Sequence, residues 1–207
     1  MLGAPQPDLL ALIDRGQFHG EVLDAGCGTG ALSLHLAAHG YATVGLDLSA
    51  TAIAVARGEA ARRRLTKAVF EVADITEFSG FDNRFGTVVD SALFHTMPPS
   101  FRDRYQESIV RAAAPGASYF VLVFDKGAMP KDVPVAAVTP AEIHDVVSRY
   151  WIVDDVKAAE IYADSSEPTR GMDESGRLNE CSGHSSIPVV ISSDRPFPAW
   201  LVTAHLD

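Results

Sequence analysis

Apolar positions along the first half of the chain recur in two alternating periods. Leu9, Leu12 and Ile13 share one face of a helix predicted over about Asp8 to Arg15, behind a proline-rich start. Glu21 to Ala25 reads as a short strand that breaks into glycines. Helical spacing returns from Ala31 to Ala38 and is stopped by Gly40. Tyr41 to Leu46 reads as a second strand ending at Asp47. Ser49 is a natural N-cap for the alanine-rich helix that follows, which ends in Arg62, Arg63 and Arg64. Ala68 to Val72 predicts a third strand ending near Asp74, and Thr87 to Asp90 a fourth.

The second half continues the alternation. A helix is predicted from about Phe101 to Ala113, and Pro115-Gly116 then turns the chain into the apolar strand Tyr119 to Phe124. Thr139-Pro140 opens a helix over Ala141 to Arg149, and strands near Trp151 to Ile161 and Ala199 to Ala204 follow. Strand and helix in turn call for a mostly parallel sheet with helices on both faces, because parallel strands need crossover connections. Residues 163–197 are rich in Ser, Asp, Glu, Gly and Pro without a period. They are expected to form a long loop or lid before the last strand. The 207 residues suit a single domain.

Composition narrows the partners. Seventeen Lys and Arg against 27 Asp and Glu leave a net charge of −10, which repels phosphate backbones and anionic lipid. Nucleic acid and membranes are therefore not expected as partners. Two cysteines, Cys27 and Cys181, make no disulfide framework, which fits a cytoplasmic protein. No apolar run is long enough for a membrane span, and the first ten residues lack the basic start of a signal peptide. The sequence is silent on oligomeric state.

The richest stretch is VLDAGCGTG, residues 22–30. A strand ends, glycines alternate at Gly26, Gly28 and Gly30, and a helix begins. Glycines there allow a sharp turn and a close approach of ligand to backbone. The pattern Gly26-x-Gly28-x-x-Ala31 also satisfies a dinucleotide fingerprint, with Asp47 where a ribose-binding acid would stand. Asp24 separates the two readings. A carboxylate two residues before the first glycine opposes a pyrophosphate but suits a ligand bearing an ammonium and a sulfonium.

With VLDAGCGTG, GLDLS (45–49), VADIT (72–76), VVDSALFH (88–95) and APGASYFVLVF (114–124), the chain resembles the class I S-adenosylmethionine-dependent methyltransferases over roughly Glu21 to Phe124. With VVDSALFHTM and PQP near the start, it is more narrowly similar to bacterial small-molecule methyltransferases, of the thiopurine type and of the mycobacterial kind that methylate heteroaromatic toxins. The resemblance implies a doubly wound, mostly parallel seven-stranded α/β sheet with an antiparallel last strand. It implies S-adenosylmethionine as cofactor and S-adenosylhomocysteine as product. Residue by residue, Gly26, Cys27, Gly28 and Gly30 would hold the methionine part, with Asp24 near its amino group. Asp47 would accept from the ribose hydroxyls and Leu48 pack on the adenine. Asp74 would accept from the adenine amino group with Ile75 beside it, and Asp90, Ser91 and Ala92 would border the methyl group.

Methyl transfer from a sulfonium is a direct displacement, so alignment matters most and a base only where the acceptor holds its proton. His95, just past the fourth strand, is the candidate base, with a buried structural histidine as the other reading. His184 in the long loop could also reach the site. Phe94, Met97 and Phe101 would suit an aromatic acceptor as an apolar wall, or simply pack in the core. No cluster has metal-ligand spacing, so no metal is expected. Relatives of this kind usually carry about 20 or more residues ahead of the PQP segment that cover the site; either the start is shortened here or the cover comes from elsewhere, with residues 163–197 as the expected substitute. The expected activity is methylation of a hydroxyl, thiol or ring nitrogen on a small aromatic or heterocyclic molecule. An NAD(P)-binding oxidoreductase and a non-catalytic S-adenosylmethionine-binding protein are the alternatives.

Overall fold

The computed structural model describes residues 4–128, 136–162 and 196–207. The order is α1 (Pro7–Asp14), β1 (Val22–Ala25), α2 (Ala31–Ala38), β2 (Thr43–Asp47), α3 (Ala50–Arg63), β3 (Ala68–Val72) and β4 (Phe85–Ser91), then α4 (Arg102–Ala112), β5 (Ala113–Phe124), α5 (Pro140–Val147), β6 (Ile152–Ile161) and β7 (Phe197–His205). The seven strands of the described residues form one sheet in the order β3-β2-β1-β4-β5-β7-β6. β3, β2, β1, β4 and β5 run parallel, and β7 is antiparallel to both its neighbours. The last strand is thus the one reversed strand, as the resemblance implies.

The central strands are apolar on both sides because helices cover both faces. Along β5, Tyr119, Val121 and Val123 join a cluster with Tyr105 and Ile109 of α4 and Ile143 and Val147 of α5. The alternate residues Phe120, Leu122 and Phe124 pack with Leu9 and Leu12 of α1 and Leu32 and Leu36 of α2. α3 sits over the edge, with Ile53, Ala56 and Ala60 against Phe70 and Leu34. Both predicted caps form: Ser49 Oγ accepts from Ala52 N, and Thr139 with Glu142 makes a reciprocal capping box.

One boundary differs. β5 begins at Ala113, so Pro115-Gly116 lies inside the strand rather than before it. Phe85 pairs with Ala113 while Thr87 pairs with Ser118, so a bulge absorbs the extra residues, and Gly116 takes φ +74° within it. The expected lid of residues 163–197 lies outside the described residues except for Pro196 and Phe197, as does His184. No described helix is long and apolar enough to cross a membrane.

Candidate functional site

A cavity of about 540 Å³ opens at the carboxyl ends of β1, β2 and β4. The glycine loop forms its floor. Gly26, Gly28 and Gly30 all adopt left-handed φ of +69°, +53° and +83°. A Cβ on Gly26 would stand 2.8 Å from Leu93, whereas one on Gly28 would meet no protein atom within 4 Å. Leu46 O accepts from both Gly26 N and Cys27 N, which turns the loop sharply off the sheet.

Two carboxylates address the cavity. Asp47 spreads its oxygens across the site: Oδ2 accepts from Gly28 N at 2.9 Å and Oδ1 from Ser49 N at 2.8 Å. Each oxygen keeps a lone pair for a hydroxyl donor. Asp24 is 1% exposed and lines the floor, its Oδ2 accepting from Ser33 Oγ at 2.7 Å and Ser33 N at 3.2 Å. Burial pushes its carboxyl up to about 6, although the Ser33 hydrogen bonds pull the other way. A bound cation would offset that burial.

Of the residues expected to hold the cofactor, Asp24, Gly26, Cys27, Gly28 and Asp47 line the cavity, as do Leu48, Ile75 and Ser91. Three do not. Gly30 instead clears room for the Phe70 ring, 2.7 Å from where its Cβ would be. Asp74 caps its own turn, Oδ1 accepting from Thr76 N and Oγ1 at 2.8 Å each. Asp90 is fully buried, with both oxygens facing protein donors. Burial also pushes the Cys27 thiol up, so it stays neutral.

His95 departs from the expected base. Its ring is 2% exposed, lies 4.2 Å from the Phe124 ring, and is not among the residues lining the cavity. Nδ1 accepts from Phe124 N at 3.3 Å, which places the proton of the neutral ring on Nε2. Burial, and then the Arg102 guanidinium, push it down to about 3. The ring therefore has no free acceptor nitrogen for an incoming proton. Phe94 and Met97 are fully buried in the core and are not among the residues lining this cavity, so for these two the packing reading holds.

Several lining residues escaped the sequence reading. Ala4, Pro5 and Gln6 close one side. Gln6 is held by paired bonds to Tyr162, Nε2 donating to its O at 3.0 Å and Oε1 accepting from its N at 2.8 Å. Val55, 45% exposed on α3, lines the rim. An exposed valine amid alanines was the available signal. Among the described residues, no group of three or more His, Cys, Asp or Glu could hold a metal ion.

The donor set fits S-adenosylmethionine. A buried carboxylate on the floor suits its cations, Asp47 its ribose hydroxyls, and Leu48, Ala73 and Ile75 an apolar ring. Sheet order, glycine cradle and acidic floor together define a Rossmann-like methyltransferase. A methyltransferase domain model matches residues 22–116. The chain is 48% identical, over all of its own length and 88% of the other's, to a 2-heptyl-1-hydroxyquinolin-4(1H)-one methyltransferase of Mycobacteroides abscessus. A solved structure concerned with conversion of a disulfide bond into a thioacetal group during echinomycin biosynthesis superposes with a TM-score of 0.77 at 33% identity, covering 99% of this chain and 83% of that one. A methyltransferase structure from Methanosarcina mazei shares the fold, with a TM-score of 0.69 at 20% identity over 94% of this chain and 96% of that one. The chain belongs to the S-adenosylmethionine-dependent methyltransferases, and S-adenosylmethionine is its methyl donor.

Proposed function

We propose that the protein methylates the ring-borne hydroxyl of a small heteroaromatic molecule of the hydroxyquinolone kind. Full-length similarity to the hydroxyquinolinone methyltransferase carries this reading. In it, Asp24 pairs with the donor's ammonium, Asp47 accepts from its ribose hydroxyls, and Leu48 and Ile75 flank the adenine. Asp74, which caps its own turn through Oδ1 and is not among the residues lining the cavity, is left out of the donor's contacts. The bound donor supplies an electrophilic methyl carbon. That carbon would pass to the acceptor oxygen, whose proton is released to solvent, with S-adenosylhomocysteine as the other product.

The residues contribute alignment and exclusion of water rather than proton abstraction. An N-hydroxy or ring hydroxyl conjugated to a carbonyl is acidic enough to arrive ionised, and His95 then serves as a placing residue that fixes Phe124. Sulfur acceptance is the second reading, favoured by likeness to the structure concerned with a disulfide-to-thioacetal conversion. Turnover on matched hydroxyquinolones and aromatic thiols separates the two. Methylation of neither class, with S-adenosylhomocysteine still bound, would point to a non-catalytic binder.

A further inference from the structure

Behind the cavity, four side-chain hydrogen bonds run in one direction through the core. Trp151 Nε1 donates to Gln106 Oε1 at 2.9 Å, and Gln106 Nε2 donates to the Tyr119 hydroxyl at 3.3 Å. Tyr119 donates to the Tyr105 hydroxyl at 3.4 Å, and Tyr105 donates to Asp90 Oδ2 at 2.9 Å. All five residues are buried, and the series ends on a carboxyl group with no basic partner among the described residues. Burying such a group costs free energy that an apolar residue would avoid, so its use asks for a reason.

The reason lies on the other oxygen. Asp90 Oδ1 accepts from Leu93 N at 2.8 Å and Phe94 N at 3.2 Å, so the carboxyl spans the turn from β4 into the following loop. Within that turn Ala92 sits at φ +74°, a conformation that an L residue holds only when its surroundings over-determine it. Ala92 N is itself tied to Leu122 O at 3.0 Å. Ser91, Ala92 and Leu93 all line the cavity, and Leu93 packs directly on Gly26 of the glycine loop.

We propose that Asp90 and Tyr105 are positioning residues: they clamp the turn 91–94 in its strained form, and so fix the cavity wall that seats the methyl donor. The proposal rests on the reading that this cavity is the donor site. Neither residue touches the ligand; they act through Ala92 and Leu93. Releasing the clamp lets the turn relax, withdraws Leu93 from Gly26 and loosens both sides of the cradle together. The hydrogen-bond chain behind Tyr105 orients its hydroxyl, which is why tyrosine rather than phenylalanine stands in an otherwise apolar interior.

The test measures S-adenosylhomocysteine affinity by calorimetry on the full chain, at a temperature where each variant is fully folded by circular dichroism. Tyr105→Phe and Asp90→Ala are expected to weaken binding about tenfold, the scale of a sub-ångström loss of placement. Asp90→Asn, which keeps an acceptor for Leu93 N and Phe94 N, should recover part of it. Adding Ala92→Gly to Tyr105→Phe should cost nothing more, because the turn is already free. Lower melting temperatures with unchanged affinity would make the network merely structural and overturn the proposal. Asp47→Ala serves as the reference: if it leaves affinity unchanged, the donor-site reading itself fails. If only Asp47→Ala weakens binding, the clamp alone falls. Hydrogen exchange on the unaltered protein gives an independent check. The Leu93 and Phe94 amides should exchange as slowly as the β4 core, and exchange at the rate of a surface turn would refute the clamp.

Discussion

The carboxylate of Asp47 accepts a hydrogen bond from Gly28 N at 2.9 Å, joining the end of β2 to the middle of the glycine loop across 19 residues of sequence. The same side chain thus shapes the cradle and addresses its contents. Asp47→Ala should weaken S-adenosylhomocysteine binding by about 1–3 kcal/mol, the scale for losing a partly buried acceptor of hydroxyl hydrogen bonds. Calorimetry checks this, and Asp47→Asn, which keeps one acceptor oxygen, should lose less.

Asp24 makes donor binding depend on pH. Its carboxyl is pushed up to about 6, by burial first, so the fraction able to pair with a cation grows as pH rises through that value. Affinity for S-adenosylmethionine should climb over the same window and level off above it. Ser33→Ala removes the 2.7 Å donor that favours the ionised form, so the midpoint should move to higher pH. Titrations on either side of pH about 6, in protein and variant, read both effects.

His95 should leave no mark on the pH profile of turnover near the ordinary histidine value. Burial and Arg102 hold the ring neutral down to about 3, so at saturating donor, where the Asp24 effect on binding is masked, an acid limb follows the acceptor's own ionisation. Acceptors of graded acidity should shift that limb, and His95→Gln should leave its position unchanged. A limb near the free-imidazole value that vanishes in His95→Gln would restore the histidine as a base.

The ring's titration also enters stability. Its folded value lies below its unfolded one, so the unfolded chain binds the extra proton between the two. The His95 contribution is present above the unfolded value and is lost as pH falls towards about 3. His95→Gln should therefore flatten the acid side of the stability curve, as denaturant melts at several pH values would show.

Gly26→Ala should damage the protein twice. Its φ of +69° disfavours any L side chain by about 1–2 kcal/mol, and the new methyl would strike Leu93. Gly28→Ala carries only the conformational cost, since nothing of the protein lies within 4 Å of its Cβ position. Thermal melts should rank Gly26→Ala below Gly28→Ala, while both lose donor affinity.

Much of this was readable because the informative residues sit at element boundaries. Glycines after β1, Asp47 after β2 and the Ser49 and Thr139 caps act through local backbone geometry, which a sequence displays directly. Direction was not readable. Asp74 and Asp90 both end or follow strands, yet Asp74 caps its own turn and Asp90 points inward to Tyr105, a partner 15 residues away. His95 is equally ambiguous until Phe124 N supplies its acceptor bond. The Gln6–Tyr162 pairing spans 156 residues and leaves no local pattern at all. The Pro115-Gly116 turn misled for the opposite reason: a bulge can hide inside a strand a signal that normally ends one.

Among the described residues, β7 comes last in chain order, yet it lies between β5 and β6 and is the one strand that pairs with β6. A ribosome delivers residues from the N-terminus, so β5 and β6 emerge well before the strand that joins them. The nascent chain can assemble β1 to β5 early, but it must carry a bare β5 edge and an unpaired β6 until Phe197–His205 leave the exit tunnel. During synthesis that edge is where stray strand pairing or a chaperone would engage the chain, and insertion of β7 closes it.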